Sequence, residues 1–197
     1  MHPPTITVCQ GTQITPYLSA LARLRIEVFR DYPYLYDGEL SYEADYLGRY
    51  AKNPASLFVL ALDGDQLVGA ATGQPLADEV DEFRFPFEAN SIPPERVFYY
   101  GESLLLHGYR GHGIGKRFMA EREAHAKQQG FELAAFCAVE RPDGHPAEPT
   151  NYRPLHGFWN AQGYQRHDKL VTTFAWKDLG EREESHKTMV FWLKPLS

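Results

Sequence analysis

A turn rich in glycine, Arg110-Gly111-His112-Gly113-Ile114-Gly115-Lys116, separates two patterns of different period in this sequence. The apolar run over residues 97–106 before it is typical of a strand, and the pattern after it, to about residue 129, is helical. A second apolar run over residues 132–139 completes a βαβ unit. Glycines at a helix start leave backbone N–H groups open to an anion, and the helix dipole favours negative charge there. The turn is therefore predicted to bind a phosphate.

The spacing of the turn excludes two common nucleotide-binding motifs. An ATP-type P-loop needs glycine where Arg110 stands and serine or threonine where Arg117 stands. The dinucleotide fingerprint GxGxxG needs glycine at Lys116 or Phe118. A glycine-rich loop without a ligand is disfavoured, because Arg110 and Lys116 can both add charge-assisted hydrogen bonds to one anion.

The pattern along the chain predicts one mixed α/β domain over residues 1–197. The other predicted elements are strands at 5–8, 171–176 and 188–193, helices from residue 15, at 42–52 and at 151–162, and a hairpin of 57–62 and 67–71. The segment 78–94 mixes acidic residues, prolines and phenylalanines, and it gives no readable form.

Charge and composition disfavour several classes of protein. The formal net charge is -6 and the basic residues are scattered, so nucleic acid is not an expected partner. The two cysteines are too few for a disulfide framework, and the histidines show no metal-ligand spacing, so we expect no metal. The opening Met1-His2-Pro3-Pro4 lacks the pattern of an export signal, and no apolar run approaches the ~20 residues that cross a bilayer. We expect a cytoplasmic protein without a membrane partner.

The run LLHGYRGHGIGK from Leu105 to Lys116 resembles the acetyl-CoA signature of the GNAT superfamily, [RQ]xxGxG after a strand. Arg110, Gly113 and Gly115 occupy the signature positions. The later segment FWNAQGY, which begins at Phe158, is similar to the family's FYxxxGF segment, and the order of elements is similar over nearly the whole chain. The resemblance implies a GNAT fold: a central mixed, largely antiparallel sheet with one splayed parallel strand pair, flanked by helices.

The resemblance further implies an N-acetyltransferase that moves an acetyl group from acetyl-CoA to a primary amine. In the family, pantetheine lies in the splayed gap and bonds to strand backbone, which here implies Leu105. The residues implied to hold the pyrophosphate are Arg110, Gly111, His112, Gly113, Ile114, Gly115 and Lys116. Asn151 is a candidate to bond the pantetheine arm, although capping of a helix explains it equally well. Trp159 stands where the family often has its tyrosine acid, so the general acid stays unassigned and Trp159 is expected beside the pantetheine arm.

Glu102 is the predicted general base. It lies in an apolar strand shortly before the turn, where burial disfavours the charged carboxylate and so favours proton uptake. The alternative is a carboxylate that faces solvent or pairs with a cation, and a bulge in the strand would decide its direction. The resemblance implies that Tyr34, with Tyr32 and Tyr36, lies on the acceptor side of the cleft, and aromatic rings with polar tips suit a small organic amine. Packing of a long loop explains these tyrosines equally well.

Two other functions stay open on the sequence alone. A non-catalytic acyl-CoA binding or sensing module would keep the phosphate turn without catalytic groups, and the tryptophan at position 159 is compatible with it. A protein-directed acetyltransferase would need an open, shallow acceptor cleft. We expect a small-molecule acceptor, and a homodimer stays open as the state of assembly.

Overall fold

The structure is a computed structural model that describes residues 3–196. The predicted 1–197 domain therefore has its outermost ends, and the opening Met1-His2, outside the described residues. The described strands are β1 (Thr5–Gln10), β2 (Leu57–Asp63), β3 (Gln66–Pro75), β4 (Val97–Tyr99), β5 (Ser103–Leu105), β6 (Leu133–Glu140), β7 (Gln165–Trp176) and β8 (Ser185–Pro195). They form one sheet in the order β1-β2-β3-β4-β6-β8-β7, in which β5 pairs with β3. The β4–β6 pair is parallel and the other pairs are antiparallel, which confirms the predicted sheet.

Helices cover both faces of this sheet. The described helices are α1 (Leu18–Phe29), α2 (Leu40–Lys52), α3 (Asp81–Ala89), α4 (Ile114–Gln128) and α5 (His156–Ala161). In β2, Phe58 and Leu60 pack with α1 and α2, whereas Val59 packs on the opposite face with Phe118 of α4. Because successive strand residues point to opposite faces, a strand that is covered on both faces becomes an unbroken apolar run.

The predicted hairpin is confirmed by the pairing of Asp63 with Gln66 across Gly64, which adopts φ 60°.

The bounds of other helices and strands differ from the predicted ones for local reasons. The predicted helix over 151–162 is α5 alone, because Pro154 disfavours helical backbone in the residue before it. β7 begins six residues earlier than predicted, because its first five residues are polar and exposed and give no apolar pattern. The unreadable segment 78–94 contains α3, whose Phe83 and Phe87 pack against the sheet.

The predicted strand over 97–106 is wrong in one respect: it is two short strands separated by Tyr100, Gly101 and Glu102. The Tyr100 N–H donates to Ala135 of β6 at 2.8 Å, and the Glu102 carbonyl accepts from Thr72 of β3 at 3.0 Å. β4 pairs with both β3 and β6, whereas β5 pairs with β3, so the chain leaves β6 within three residues. A gap therefore opens between β5 and the part of β6 beyond residue 135, and this is the splay that the resemblance implied.

Candidate active site

The glycine turn leads directly into α4, as predicted. Gly111 and Gly113 adopt φ 80° and 81°, in the left-handed region where side chains are disfavoured. A Cβ built on either residue meets no atom within 4 Å, so the space above both is open. Gly113 precedes the first helical residue and offers no side-chain cap, so the first N–H groups of α4 are left for another partner. This geometry fits a phosphate.

Cationic side chains surround the turn. Arg110, Lys116 and Arg117 are all exposed. The Arg110 Nε donates to the carbonyl oxygen of Leu105 at 3.1 Å, while its Nη2 lies 3.8 Å from the carboxylate of Asp31. The Leu105 carbonyl thus faces the gap rather than β3, on the edge where the resemblance implies pantetheine. The donor set of free N–H groups and guanidinium fits a pyrophosphate.

The aromatic residues of the second family-like segment divide between two places. Trp159 packs edge-on against Phe136 and Trp192, with ring centroids 5.0 Å from each. Phe136 is the first residue of β6 beyond its pairing with β4, so Trp159 lies beside the splayed gap. The Phe158 ring lies 3.5 Å from a Cβ built on Gly115, and it is the aromatic side chain nearest that part of the turn, a position that sequence reasoning left unassigned.

Asn151, Tyr152 and Tyr164, which lie in or near the second family-like segment in sequence, have positions that do not indicate a role in the site. Asn151 is exposed and precedes α5 by five residues, so it does not cap that helix. Tyr164, the last residue of the second family-like segment, is fully buried. Its hydroxyl lies 3.1 Å from the hydroxyl of Tyr100 and 3.0 Å from the carboxylate of Glu123, so it belongs to a core network. Tyr152 packs against Tyr32, with ring centroids 4.7 Å apart.

A cavity of about 430 Å³ lies beside the break between β4 and β5. Its floor contains Gly101 and Glu102, and its walls come from α1, α2, α3, the sheet and the connections α1–α2 and β7–β8. The predicted Tyr34 lines it. The other aromatic lining residues are Phe29, Tyr36, Tyr42, Tyr46, Phe83, Tyr99, Phe174 and Trp176. We call this space the acceptor cavity.

Glu102 belongs to a buried ionic cluster at the floor of the acceptor cavity. Arg25 of α1 binds Glu43 of α2 through Nε and Glu102 through Nη1, and the side chains are 8%, 0% and 3% exposed, respectively. One guanidinium is therefore shared by two carboxylates, which leaves one negative charge uncompensated. The Glu102 Oε1 is buried and has no hydrogen-bond partner among the described residues. Glu102 thus pairs with a cation, which is the alternative that the sequence left open, and it also lines the cavity; its role as a general base stays a prediction.

Aromatic side chains hold this cluster in place. The Tyr36 hydroxyl donates to Glu43 at 2.8 Å, and the Tyr46 hydroxyl lies 3.5 Å from the Glu102 Oε2. The Arg25 guanidinium stands 4.2 Å from the Tyr46 ring centroid, within the range of a cation–π contact. The orientation of Glu102 is therefore fixed by α1 and α2, far from it in sequence.

A second buried arginine fixes the break in the strand. Arg122 of α4 donates to the carbonyls of Thr72 and Glu102 at 3.2 and 3.0 Å, and to the Ser103 hydroxyl at 2.7 Å. Its guanidinium also stacks on the Tyr100 ring at 4.1 Å. Burial lowers the pKa of Arg122. Arg122 thus joins both strands at the point where the gap opens.

We expect Arg122→Met to lower the free energy of unfolding by about 2 kcal/mol, because hydrogen bonds from a charged donor to buried acceptors are lost. Urea denaturation would measure this. Lys127→Met is the matched control, since it removes a cation from an exposed position of the same helix and should change stability by less than about 0.5 kcal/mol. Equal stability of the two variants would contradict a structural role for Arg122.

Hydrogen bonds join the segment that carries the tyrosines, residues 30–39, to the β7–β8 connection. Arg141 donates to the carbonyls of Pro33 and Tyr34 and forms two hydrogen bonds to Asp178, each at 2.7–3.0 Å. Burial acts to raise the pKa of Asp178, but hydrogen bonds from Arg141 and Lys187 outweigh it and lower that pKa. The Trp176 indole N–H also donates to the Tyr34 carbonyl, at 2.9 Å. These contacts hold Tyr34 and Trp176, which line one wall of the acceptor cavity.

Sequence reasoning missed Arg25, Glu43 and Arg122. Each lies on the buried stripe of its helix, one turn from apolar residues such as Leu21, Leu47 and Phe118. A charged residue at a core position of an amphipathic helix is the signal that could have found them, because such a residue needs a buried partner.

A sheet that opens at one parallel strand pair, beside a helix start with free N–H groups, has the geometry that the resemblance implied. The model of the Acetyltransferase (GNAT) family matches residues 21–167, and the chain belongs to this family. Enzymes of the family take the acetyl group from acetyl-CoA and need no metal, so the predicted cofactor is confirmed at the level of the family.

Solved structures with the same fold share little sequence with this chain. Ribosomal-protein-alanine N-acetyltransferase from Brucella melitensis is 15% identical with a TM-score of 0.61, and the match covers 96% of this chain and 99% of that one. An aminoglycoside 6'-N-acetyltransferase complexed with coenzyme A is 16% identical with a TM-score of 0.59, covering 97% of both chains. The yncA protein from Salmonella typhimurium, with its cofactor acetyl-CoA, is 10% identical with a TM-score of 0.58, covering 98% and 94%. No curated protein matches the sequence.

Two kinds of feature, a membrane-spanning helix and a cluster of metal ligands, are absent from the described part of the chain. Residues 3–196 contain no helix that is both long and apolar enough to span a membrane. Over the same residues, the histidine, cysteine, aspartate and glutamate side chains form no group of three or more that could hold a metal ion.

Proposed function

We propose that this protein transfers an acetyl group from acetyl-CoA directly to the primary amine of a small molecule, with Glu102 as the general base. The observation that carries the proposal is that Glu102 lines the floor of the acceptor cavity while its buried Oε1 has no hydrogen-bond partner among the described residues. Buried polar atoms in native proteins are nearly always hydrogen-bonded, so an unpartnered one in a residue beside a cavity is a candidate to bind a ligand. An ammonium group or an amine N–H is the matching donor.

The donor side of the site consists of the glycine turn and the splayed edge. The first N–H groups of α4, with Arg110 and Lys116, would hold the pyrophosphate, and the backbone of Leu105 would bond the pantetheine arm. Trp159 and Asn151 remain proposed contacts of that arm, and Trp159 has the better support because it packs beside the gap. When bound, acetyl-CoA supplies a thioester whose carbon–sulfur bond breaks as the amine nitrogen bonds to the acetyl carbon and a proton passes to the sulfur.

The proton balance assigns one task to Glu102. An amine arrives as an ammonium ion, so one proton must leave before the nitrogen can attack. The Glu102 Oε1 accepts that proton and later returns it to solvent. Glu102 can take up a proton although it pairs with Arg25, because the single positive charge of Arg25 is shared between Glu102 and Glu43. Tyr34 forms part of the wall against which the acceptor body packs.

Direct transfer is supported by the state of the one cysteine in the acceptor cavity. Burial raises the pKa of the Cys137 thiol to about 12, and the Tyr99 hydroxyl lies 3.2 Å from its sulfur. At neutral pH the residue is therefore a thiol, whereas a covalent route would need a thiolate.

We expect Cys137→Ala to keep most of the wild-type kcat, because the cysteine only lines the cavity. Steady-state acetylation and mass spectrometry after incubation with acetyl-CoA would measure this. A large loss of kcat together with an acetylated Cys137 in the wild-type protein would contradict direct transfer and favour a covalent intermediate.

The small-molecule acceptor is supported by the size of the cavity, which lies within the range of about 300–1,000 Å³ that is typical of small-ligand sites. The deciding experiment is acetyl-CoA turnover with panels of small amines and of peptides, with CoA affinity measured in parallel by calorimetry. Turnover on small amines supports the proposal. CoA binding without turnover would favour a binding or sensing module, and turnover on peptides alone would favour a protein-directed enzyme.

A further inference from the structure

The lining of the acceptor cavity carries more carboxylates than cations. The acidic lining residues are Asp37, Glu39, Glu102, Glu183 and Glu184, and the basic ones are Arg25, Lys177 and Arg182, five against three. Glu43 adds a further negative charge behind Arg25, where it shares that guanidinium with Glu102. The lining therefore attracts cations and repels anions.

The cations of this lining are mostly engaged already. Arg25 is bound by two carboxylates, and the Lys177 ammonium lies 2.9 Å from a carboxylate oxygen of Asp37. Arg182 is exposed in the β7–β8 connection, at the rim. An acceptor that carried a carboxylate next to its amine would have to place that carboxylate near Glu102, where the neighbouring cation Arg25 is already bound by two carboxylates. Burial of an unpaired charge is strongly disfavoured.

The walls between floor and rim are aromatic. Phe83 is stacked between Tyr99 at 5.1 Å and Phe174 at 5.4 Å, with interplanar angles of 29° and 13°. Tyr34 and Trp176, whose ring centroids lie 5.9 Å apart, pack in the same cluster as Phe174. Aromatic side chains that line a cavity pack on a flat apolar body, and a free ring face also attracts a cation. The acidic residues Glu39, Glu183 and Glu184 stand exposed at the rim, where they favour positively charged ligands.

From these observations we infer that the acceptor is an aromatic amine without a carboxylate, bound as a cation with its amine at Glu102 and its ring between the aromatic walls. This inference rests on the proposed function and specifies its substrate class. An amino acid with the same ring is excluded by charge rather than by size.

The test uses 2-phenylethylamine and L-phenylalanine, which share the ring and the amine and differ by one carboxylate. We expect kcat/KM for 2-phenylethylamine to exceed that for L-phenylalanine by about 10²-fold or more, because a buried carboxylate without a partner is rejected. Calorimetry with the CoA-loaded protein gives a readout that does not depend on turnover, and only 2-phenylethylamine should bind. Hexylamine, which lacks the ring, should bind more weakly than 2-phenylethylamine.

A rim variant ties the preference to this cavity. Glu183→Gln combined with Glu184→Gln changes two exposed side chains, and it should raise KM for 2-phenylethylamine while the Kd for CoA stays unchanged. Equal or better use of L-phenylalanine would overturn the inference and leave the proposed function intact. Binding of neither compound by a protein that binds CoA would also overturn it, and acetylation of other amines would then decide the proposed function separately. An equal affinity for hexylamine would overturn the aromatic part.

Discussion

Glu102→Gln is expected to lower kcat by about 10²-fold or more at neutral pH, because an amide cannot accept the proton of the acceptor ammonium. The Kd for CoA should not change, since Glu102 lies on the acceptor side of the break. As the pH approaches the pKa of the acceptor amine, more amine is already deprotonated and the deficit should shrink. Steady-state kinetics over a range of pH, with calorimetry of CoA binding, would measure both effects.

Glu43→Gln separates the loss of a base from the loss of an ion pair. Glu43 shares Arg25 with Glu102 but does not line the acceptor cavity. Its replacement should therefore disturb the cluster without removing the proton acceptor, and the deficit in kcat should be much smaller and independent of pH. Similar, pH-independent losses in both variants would show that Glu102 serves only to hold the cluster together.

Gly113→Val is expected to abolish measurable CoA binding. Position 113 has φ 81° with open space above it, so a valine would extend its branched side chain into the place where a phosphate reaches the first N–H groups of α4. The unfavourable backbone conformation should also cost about 1–3 kcal/mol of stability. Calorimetry and thermal unfolding would measure the two effects.

Gly130→Val is the matched control for that backbone strain. Gly130 follows the other end of α4 with φ 83°, and a Cβ there also meets no atom within 4 Å. The two variants should lose similar stability, but only Gly113→Val should lose CoA binding. Unchanged CoA affinity in a folded Gly113→Val protein would remove the basis for the assignment of the turn.

The donor half of the site was predictable because its signals are local. The strand region, the glycine turn and the start of α4 follow one another within about twenty residues. Period and glycine content placed the turn and the helix start correctly, but they predicted one strand where there are two. The break at Tyr100 to Glu102 was not predictable. The break depends on Arg122, which donates hydrogen bonds to the carbonyls of Thr72 and Glu102. It also depends on glycine at position 101, because a Cβ built there would lie 2.6 Å from the Tyr50 hydroxyl and 2.8 Å from the Thr72 hydroxyl.

The acceptor half was predictable only in outline. The tyrosine segment was placed there by resemblance, and Tyr34 does line the cavity. The cluster of Arg25, Glu43 and Glu102 joins residues that are 18 and 77 positions apart, so no local pattern contains it. The positions of Arg25 and Glu43 on the buried stripes of α1 and α2 were the local signs of a buried partner.

Arg141 and Asp178 hold one wall of the acceptor cavity in place without lining it. Their hydrogen bonds fasten residues 33 and 34 to the β7–β8 connection, and none of these bonds involves the glycine turn. Substitutions or insertions in these two connections can therefore change which acceptors bind, while the sheet and the proposed acetyl-CoA site keep their structure.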